Sequence, residues 1–293
     1  MTKALQPLGT RLRALSMALA MMLFSALAAA PSGQARTYNV LYNFTGGADG
    51  SLPYFGSLVR DNAGNLYGTT DFGGSFNYGT VFKVSKSGTE TVLHSFTGGS
   101  DGGYPFAGLL LSGNTLYGTT FAGGSGNGVV FEMRINTGTE TVLYTFTGGS
   151  DGGSPFAGLV QDKAGNLYGT TYGGGSGSGS GYGVVYKVVP KTKKETVLHT
   201  FAGSDGKYPS SGLTLDTTGK VLYGTATDGG SSGYGVVFSL TTDAGTYTVL
   251  YNFTGGADGA FPWGSLSLGK GSILYGTAYG SGSGYGVVFQ AGS

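Results

Sequence analysis

The sequence predicts an all-β fold, a five-bladed β-propeller with four strands in each blade. Three observations lead to this prediction. A unit of about 50 residues occurs five times, each unit holds four short β-rich segments, and the two ends of the chain are complementary parts of one unit. Units of this length and strand number are typical of propeller blades.

The repeat is defined by motifs that recur in a fixed order. Leu-Tyr-Gly-Thr returns at spacings of 50, 51, 55 and 52 residues, and Gly-x-Val-Phe/Tyr follows it each time. Val-Leu-Tyr/His-x-Phe and Asp-Gly-x-x-Pro also occur five times each, between these motifs or before the first of them. Leu-Tyr-Gly-Thr begins at Leu66, Leu116, Leu167, Leu222 and Leu274. Asp-Gly-x-x-Pro begins at Asp49, Asp101, Asp151, Asp205 and Asp258.

Each unit holds four segments rich in Val, Tyr, Phe and Thr and bounded by Gly, Asn or Asp, which is the pattern of β-strands. In the third unit they read AGLVQD, NLYGTT, GVVYKVV and ETVLHTF. After residue 36 no segment shows apolar residues at helical spacing. Although 60 residues are Gly, the 20 Tyr and 17 Phe make the chain too apolar to stay unfolded.

The two ends of the repeat predict how the ring closes. After the N-terminal segment the chain begins with TYNVLYNF, a fourth strand, and it ends with YGVVFQAGS, a third strand without a fourth. We expect a closing strand at about 37–44 to complete the last blade, which removes an exposed sheet edge. A β-solenoid, the alternative, has no use for complementary ends. The predicted blades span about 55–96, 106–146, 156–201, 210–253, and 263–290 plus 37–44.

The N-terminus predicts export. Lys3, Arg11 and Arg13 precede the apolar run ALSMALAMMLFSALAAA, and small residues follow. This is the pattern of a secretory signal peptide, which we place at 1–35, leaving 36–293 as a single propeller domain. We therefore expect a protein that is secreted or held at the cell surface.

Composition restricts the partners. Removing 1–35 leaves 13 basic and 15 acidic residues without a basic cluster, which argues against nucleic acid. No second apolar segment is long enough to span a membrane. The chain has no Cys, so disulfides and thiolate ligands are excluded. We expect a monomer that needs no cofactor.

The repeat resembles a known family. The order Leu-Tyr-Gly-Thr, Gly-x-Val-Phe, Val-Leu-x-x-Phe is similar to the GloVer tandem repeat of the choice-of-anchor bacterial surface proteins, over about residues 38–290. The Asp-x-x-Gly-Asn-Leu-Tyr spelling at Asp61 and Asp162 is also similar to NHL-type propeller blades. These resemblances imply an exported or surface protein and a propeller fold, and they bring no catalytic residues with them.

The crossovers between blades are predicted to share one rim with the loops that join second and third strands, and loops on a rigid scaffold often carry function. The aspartates of the crossovers suggest two roles. As a ring of five carboxylates (Asp49, Asp101, Asp151, Asp205, Asp258) they suit sugar hydroxyls or a cation. As turn residues they accept hydrogen bonds from the local backbone. Recurrence in every unit favours the turn. GGSDGG is also similar to calcium-binding RTX loops, but the nonapeptide period is missing, so calcium is a weak expectation.

Aromatic residues flank the proline of each crossover. Rings beside backbone amides and a carboxylate suit stacking on a sugar face, and the alternative is that they fill the gap between blades. The predicted ligand-binding aromatics are Tyr54, Tyr104, Phe106, Phe156, Tyr208, Phe261 and Trp263.

Several other polar residues are explained by the repeat. His94 and His199 occupy a position that is Tyr in the other units, so we interpret them as aromatic substitutes. The mid-strand glycines, such as Gly118, are expected where neighbouring backbones come close. The repeated glutamates (Glu90, Glu140, Glu195) are expected to be solvated edge charges.

The sequence therefore predicts a secreted binding module that recognises glycans or another extracellular ligand. One alternative is a polysaccharide hydrolase or lyase, for which the non-repeated Asp71 and Asp228 are the candidate acids. The other alternative is a structural protein whose partner is an envelope protein.

Overall fold

The computed structural model describes residues 38–176, 181–280 and 284–292, so the predicted signal peptide (1–35) lies outside the described residues. The chain divides into two compact units, Met1–Val40 and Leu41–Ser293. Of the first unit only 38–40 are described, and they belong to no strand or helix. All strands of the described residues lie in the second unit.

The second unit contains five antiparallel sheets in chain order. Sheet 1 holds β1 (Val59–Arg60), β2 (Leu66–Thr70), β3 (Thr80–Val84) and β4 (Glu90–Ser95). Sheet 2 holds β5 (Leu110–Ser112), β6 (Thr115–Thr120), β7 (Val129–Arg134) and β8 (Thr139–Thr145). Sheet 3 holds β9 (Val160–Gln161), β10 (Leu167–Thr170), β11 (Val184–Val189) and β12 (Lys194–Thr200).

Two further sheets complete the series. Sheet 4 holds β13 (Thr214–Leu215), β14 (Val221–Ala226), β15 (Val236–Thr241) and β16 (Tyr247–Asn252). Sheet 5 holds β17 (Ser267–Leu268), β18 (Leu274–Ala278) and β19 (Val287–Ala291), with a 3-10 turn at Lys270–Ser272 between its first two strands. The predicted all-β class and the four-stranded unit are confirmed in sheets 1 to 4.

The apolar core is divided among the contacts between consecutive sheets. Each of four clusters joins one sheet to the next, from sheets 1 and 2 to sheets 4 and 5. At the end of each outer strand a Phe packs edge-on against a ring of the following sheet, as Phe96 does on Phe131 at 5.3 Å between centroids. Threonine hydroxyls add hydrogen bonds, such as Thr69 Oγ1 to the Ala107 carbonyl at 3.0 Å. Consecutive sheets therefore stabilise one another.

The mid-strand glycine has a different partner from the one we predicted. Gly118 lies opposite Phe131 on β7, and a Cβ at position 118 would lie 2.5 Å from Phe131 Cζ. The phenyl ring thus covers the glycine of its own sheet. Glycine is needed because the ring occupies the space of a side chain, and not because backbones of neighbouring blades converge.

The fourth strand predicted for the last blade is not found among the described residues. Sheet 5 has three strands, and residues 38–44 are assigned to no strand. Val288 on β19 is 82% exposed, whereas the equivalent Val81, Val130, Val185 and Val237 are fully buried. In the described part of the chain, the outer edge of β19 thus lacks the neighbour that the other third strands have.

Candidate functional site

The aspartate of each crossover is engaged inside its own loop. Asp101 accepts hydrogen bonds from the Thr97 N–H at 2.9 Å, from the Thr97 hydroxyl and from His94 Nε2 at 3.1 Å. Asp151 has the same arrangement with Thr147 and the Tyr144 hydroxyl. Asp49, Asp205 and Asp258 are held in equivalent ways. These bonds favour the turn role, because both carboxylate oxygens already serve the fold.

The two histidines replace tyrosines, as we predicted. His94 and His199 contact Asp101 and Asp205 through Nε2, just as the Tyr144 hydroxyl contacts Asp151 at 2.9 Å. Burial lowers the pKa of His199 despite the neighbouring Asp205, so the ring is neutral at pH 7. A neutral imidazole donating to a carboxylate has the structural role of the tyrosine that it replaces.

The glutamates do not behave as solvated charges. In both Glu140 and Glu195 the carboxylate oxygen Oε1 is buried and has no hydrogen-bond partner among the described residues. Burial, with a smaller contribution from Asp101, raises the pKa of Glu140 to about 7, and burial with Asp151 does the same for Glu195. Our expectation was wrong because each carboxyl is partly removed from water, and the crossover aspartate of the preceding loop adds a smaller repulsion.

The residue before the proline fills the gap between consecutive sheets where it is aromatic, at Tyr104, Tyr208 and Phe261. Tyr104 has φ +57°, its N–H donates to the Tyr78 carbonyl at 2.8 Å, and its carbonyl accepts from the Phe121 N–H at 2.9 Å. Its ring contacts Phe72 and Tyr78 of sheet 1. Leu52, Ser154, Tyr208 and Phe261 have the same left-handed conformation. Such strain is kept only where surrounding contacts impose it, so this position is a joint between loops.

In sheets 2 to 5 the residue after the proline instead faces a cavity shared by all five sheets, which we call the central cavity. It has a volume of about 480 Å³. Phe106 and Phe156 lie 5.6 Å apart between ring centroids, and the half-exposed Trp263 also lines the cavity. The position is completed by Ser210 in sheet 4 and Phe55 in sheet 1. Of the predicted aromatics, Phe106, Phe156 and Trp263 are therefore brought together.

Sequence reasoning chose Tyr54 where the structure places Phe55. Sheet 1 has one more residue between its proline and the leucine that packs on the mid-strand glycine, so Tyr54 is displaced outward and its ring packs edge-on against Phe55. Phe55 contacts Phe106 at 5.9 Å and Phe156 at 5.3 Å. Counting backward from Leu58 would have found it, whereas counting forward from Pro53 did not.

A second set of side chains lies at the ends of the second strands. Phe121 contacts Phe106 at 5.2 Å and Phe156 at 6.3 Å. Tyr172 occupies the equivalent place in sheet 3 and stacks on Tyr208 at 4.8 Å. The structure thus adds Phe55, Phe121 and Tyr172 to the predicted aromatics. Their contacts with other rings identify them, and these contacts between distant parts of the chain cannot be read from the sequence.

Asp71 stands at the position of Phe121 in sheet 1. It is 4% exposed, its Oδ1 has no hydrogen-bond partner among the described residues, and burial raises its pKa to about 6. Asp228 is one position further along its unit, where it lies opposite Lys207, and burial raises its pKa as well. The two carboxylates occupy non-equivalent places, and no nearby charge contributes to the shift of Asp71.

Two further structural observations concern ligands and membranes. In the described ranges, no three His, Asp or Glu side chains form a group able to hold a metal ion. No helix in this same part of the chain is long and apolar enough to cross a membrane.

Successive four-stranded antiparallel sheets around a shared cavity define the class of the protein, a β-propeller-like repeat protein. The chain belongs to the Gloeobacter/Verrucomicrobia repeat family, whose model matches residues 29–227 and 176–293. This match confirms the resemblance to the GloVer repeat.

Several solved structures are similar to this chain. A chain in the crystal structure of the nidogen/laminin complex is similar with a TM-score of 0.51 and 18% identity, over 76% of this chain and 71% of that one. TolB from Acinetobacter baumannii has a TM-score of 0.46 and 17% identity, over 73% of this chain and 46% of TolB. The gluconolactonase XC5397 from Xanthomonas campestris has a TM-score of 0.44 and 14% identity, over 73% and 69%. No curated protein matches the chain significantly.

Proposed function

We propose that the protein is an exported binding module that takes carbohydrate at the central cavity. The observation that carries this proposal is the convergence of Phe55, Phe106, Phe156 and Trp263 on one cavity. Aromatic faces pack against the C–H face of a sugar ring, and a mixed lining of rings and a few polar groups is usual for ligand sites. The N-terminal signal predicted at 1–35 supports export.

We favour the central cavity over the crossover loops as the carbohydrate site, because the polar groups of the crossovers already bond to the protein itself. The Asp101 carboxylate is bonded by Thr97 and His94, and Tyr104 is packed between two sheets. By contrast, the ring of Trp263 is half-exposed. A carbohydrate therefore gains more contact at the cavity than at the crossovers.

We test this proposal with the mature protein, residues 36–293, on a glycan array followed by calorimetry of the positive glycans. Trp263→Ala should weaken binding about tenfold, or ~1.4 kcal/mol, because it removes a large half-exposed ring of the cavity. Tyr275→Ala is the matched control, since it removes an exposed ring of the same sheet outside the cavity lining. A wild-type protein that binds no glycan would contradict the proposal.

Asp71 supports hydrolysis as a second candidate function. A buried carboxyl with a pKa of about 6 is protonated in mildly acidic solution, as a general acid must be. Glycans that bind are therefore incubated with the protein and assayed for new reducing ends. A release of reducing ends that disappears in Asp71→Asn and declines above pH 6 would identify a hydrolase. If the glycans stay intact, hydrolysis is contradicted and the binding function stands.

We also propose that the ring closes through residues 41–44. Phe44 already packs on Phe82 at 4.9 Å, the contact that Phe96 makes with Phe131. The Tyr42 hydroxyl donates to Asp49 at 2.9 Å, as Tyr144 does to Asp151. This segment thus makes the contacts of a fourth strand to the following sheet, and pairing with β19 would supply the rest.

A further inference from the structure

Sheet 4 interrupts the aromatic pattern of the cavity. Sheets 2 and 3 each place one ring after the proline and another at the end of the second strand, Phe106 with Phe121 and Phe156 with Tyr172. Sheet 4 places two small hydroxyl residues there, Ser210 and Thr227, which are joined by a hydrogen bond of 2.8 Å between their oxygens. Where the neighbouring sheets are filled by rings, sheet 4 leaves space.

The space is a slot, which we call the sheet-4 slot. It has a volume of about 210 Å³ and is lined by Phe121, Phe156, Tyr172, Ser210 and Trp263. Tyr172 is held in place by stacking on Tyr208 with an interplanar angle of 18°. No charged side chain among the described residues lines the slot. It therefore favours a neutral ligand with apolar faces and a hydroxyl group for Ser210.

We propose that the sheet-4 slot holds a single pyranose ring of the bound carbohydrate. This inference rests on the proposed function and adds its location and stoichiometry. The slot is smaller than the roughly 300 Å³ at which pockets for drug-sized ligands begin, so it matches one ring and not a chain segment. A pyranose presents C–H faces to Trp263 and the rings opposite, and hydroxyls to Ser210, which both donates and accepts. One site per chain follows, in place of five near-equivalent ones.

The repeat itself supplies the variant that tests the slot. Ser210→Phe restores the ring found at Phe106 and Phe156, so the fold has precedents for it, and the added ring fills the slot. Ser210→Ala is the matched control, because it removes the hydroxyl without filling the space. Thermal unfolding of both variants checks that each is folded.

Trp263 makes the measurement specific to this place. It is the only Trp of the chain and lines both the sheet-4 slot and the central cavity, so changes in tryptophan emission and in quenching by acrylamide report on these two adjoining spaces. The probes are methyl β-glucopyranoside, methyl α-mannopyranoside, methyl β-galactopyranoside, N-acetylglucosamine and cellotetraose, each titrated by fluorescence and by calorimetry.

We expect at least one probe to bind with a stoichiometry of one, to protect Trp263 from acrylamide, and to lose at least tenfold in affinity in Ser210→Phe while Ser210→Ala loses less. Binding detected by calorimetry that leaves Trp263 open to acrylamide, or that Ser210→Phe does not weaken, would contradict the sheet-4 slot as the binding site. The proposed carbohydrate-binding function would stand in that case. Absence of heat and of fluorescence change for every probe would overturn both.

Discussion

At the scale of single residues, the same chemistry recurs with different consequences in each unit. Asp101 and Asp151 fix the crossover by accepting hydrogen bonds from a threonine four residues earlier. The sequence anticipated this role, because an Asp followed by Gly has a local physical reason to form a turn. It did not anticipate the neighbours of Glu140, since these come from a preceding loop that only folding brings near.

The half-buried Glu140 and Glu195 predict how stability depends on pH. Their pKa of about 7 in the fold exceeds the value near 4.3 expected for an unfolded chain. The stability they contribute is fully present below the unfolded pKa and is lost as pH rises through about 7. We expect the urea midpoint of the mature protein to fall between pH 5 and pH 8.

The double variant Glu140→Gln/Glu195→Gln should flatten this dependence and raise the midpoint at pH 8, because an amide cannot ionise. Glu132→Gln, on the adjacent strand β7, serves as the control. A double variant with the same pH dependence as the wild type would show that these two carboxyls do not titrate as the structure implies.

At the scale of strands and sheets, the fold depends on side chains that fit across paired strands. Each Leu-Tyr-Gly-Thr strand offers a glycine over which the aromatic ring of the next strand lies, as Phe238 lies over Gly224. Next to this ring, the pairing of the third and fourth strands shifts register, for example between Val130 and Phe131. Such bulges increase the twist of a sheet, which suits sheets that pack around a common cavity.

The ring over the glycine predicts a large effect of one added methyl group. Gly118→Ala places its Cβ 2.5 Å from Phe131 Cζ, so the ring must move within a buried cluster. We expect a loss of about 1–3 kcal/mol in the free energy of unfolding, the usual cost of overpacking, measured by urea denaturation.

Gly47→Ala is the control for this substitution, because its Cβ would meet no atom closer than 3.6 Å and should change the free energy little. Adding Phe131→Leu to Gly118→Ala should recover part of the loss relative to Phe131→Leu alone. Equal costs at positions 118 and 47 would contradict the ring contact.

At the scale of the second unit, four joints between consecutive sheets are complete and the fifth is open. In each complete joint a proline packs on a glycine of the preceding sheet, as Pro105 does on Gly79. Among the described residues, Gly286 has no such neighbour. Leu58 is 52% exposed, whereas its equivalents Leu109, Leu159, Leu213 and Leu266 are 5–6% exposed. The apolar surface left open on sheets 1 and 5 is the driving force for the closure that we propose.

Closure can be trapped with a disulfide, because the chain contains no Cys. In sheet 1, Val81 pairs with His94, so the equivalent pair in a closed ring is Val288 with Tyr42. Cα atoms of directly opposed residues lie about 4.5–5.5 Å apart, within the range of a disulfide. We expect Tyr42→Cys/Val288→Cys to form an intramolecular disulfide under mild oxidation and to raise the urea midpoint.

The control is Asn43→Cys/Val288→Cys, in which the two side chains point to opposite faces of the predicted pairing and should not cross-link. Mass spectrometry and electrophoresis without reductant distinguish the products. Failure of the first pair, or equal cross-linking of both, would contradict this register of closure.

The sequence by itself determined the repeat, the all-β class, the four-stranded unit, the turn chemistry of the crossovers and the exchange of His for Tyr at position 94. All of these depend on residues close in the chain or on exact recurrence, which periodicity reveals. Only the tertiary structure decided which residue beside each proline faces the cavity, that Phe55 and not Tyr54 belongs to it, and that Glu140 is half-buried. These facts depend on side chains about 50 residues apart meeting at the contacts between sheets, where one inserted residue redirects a ring.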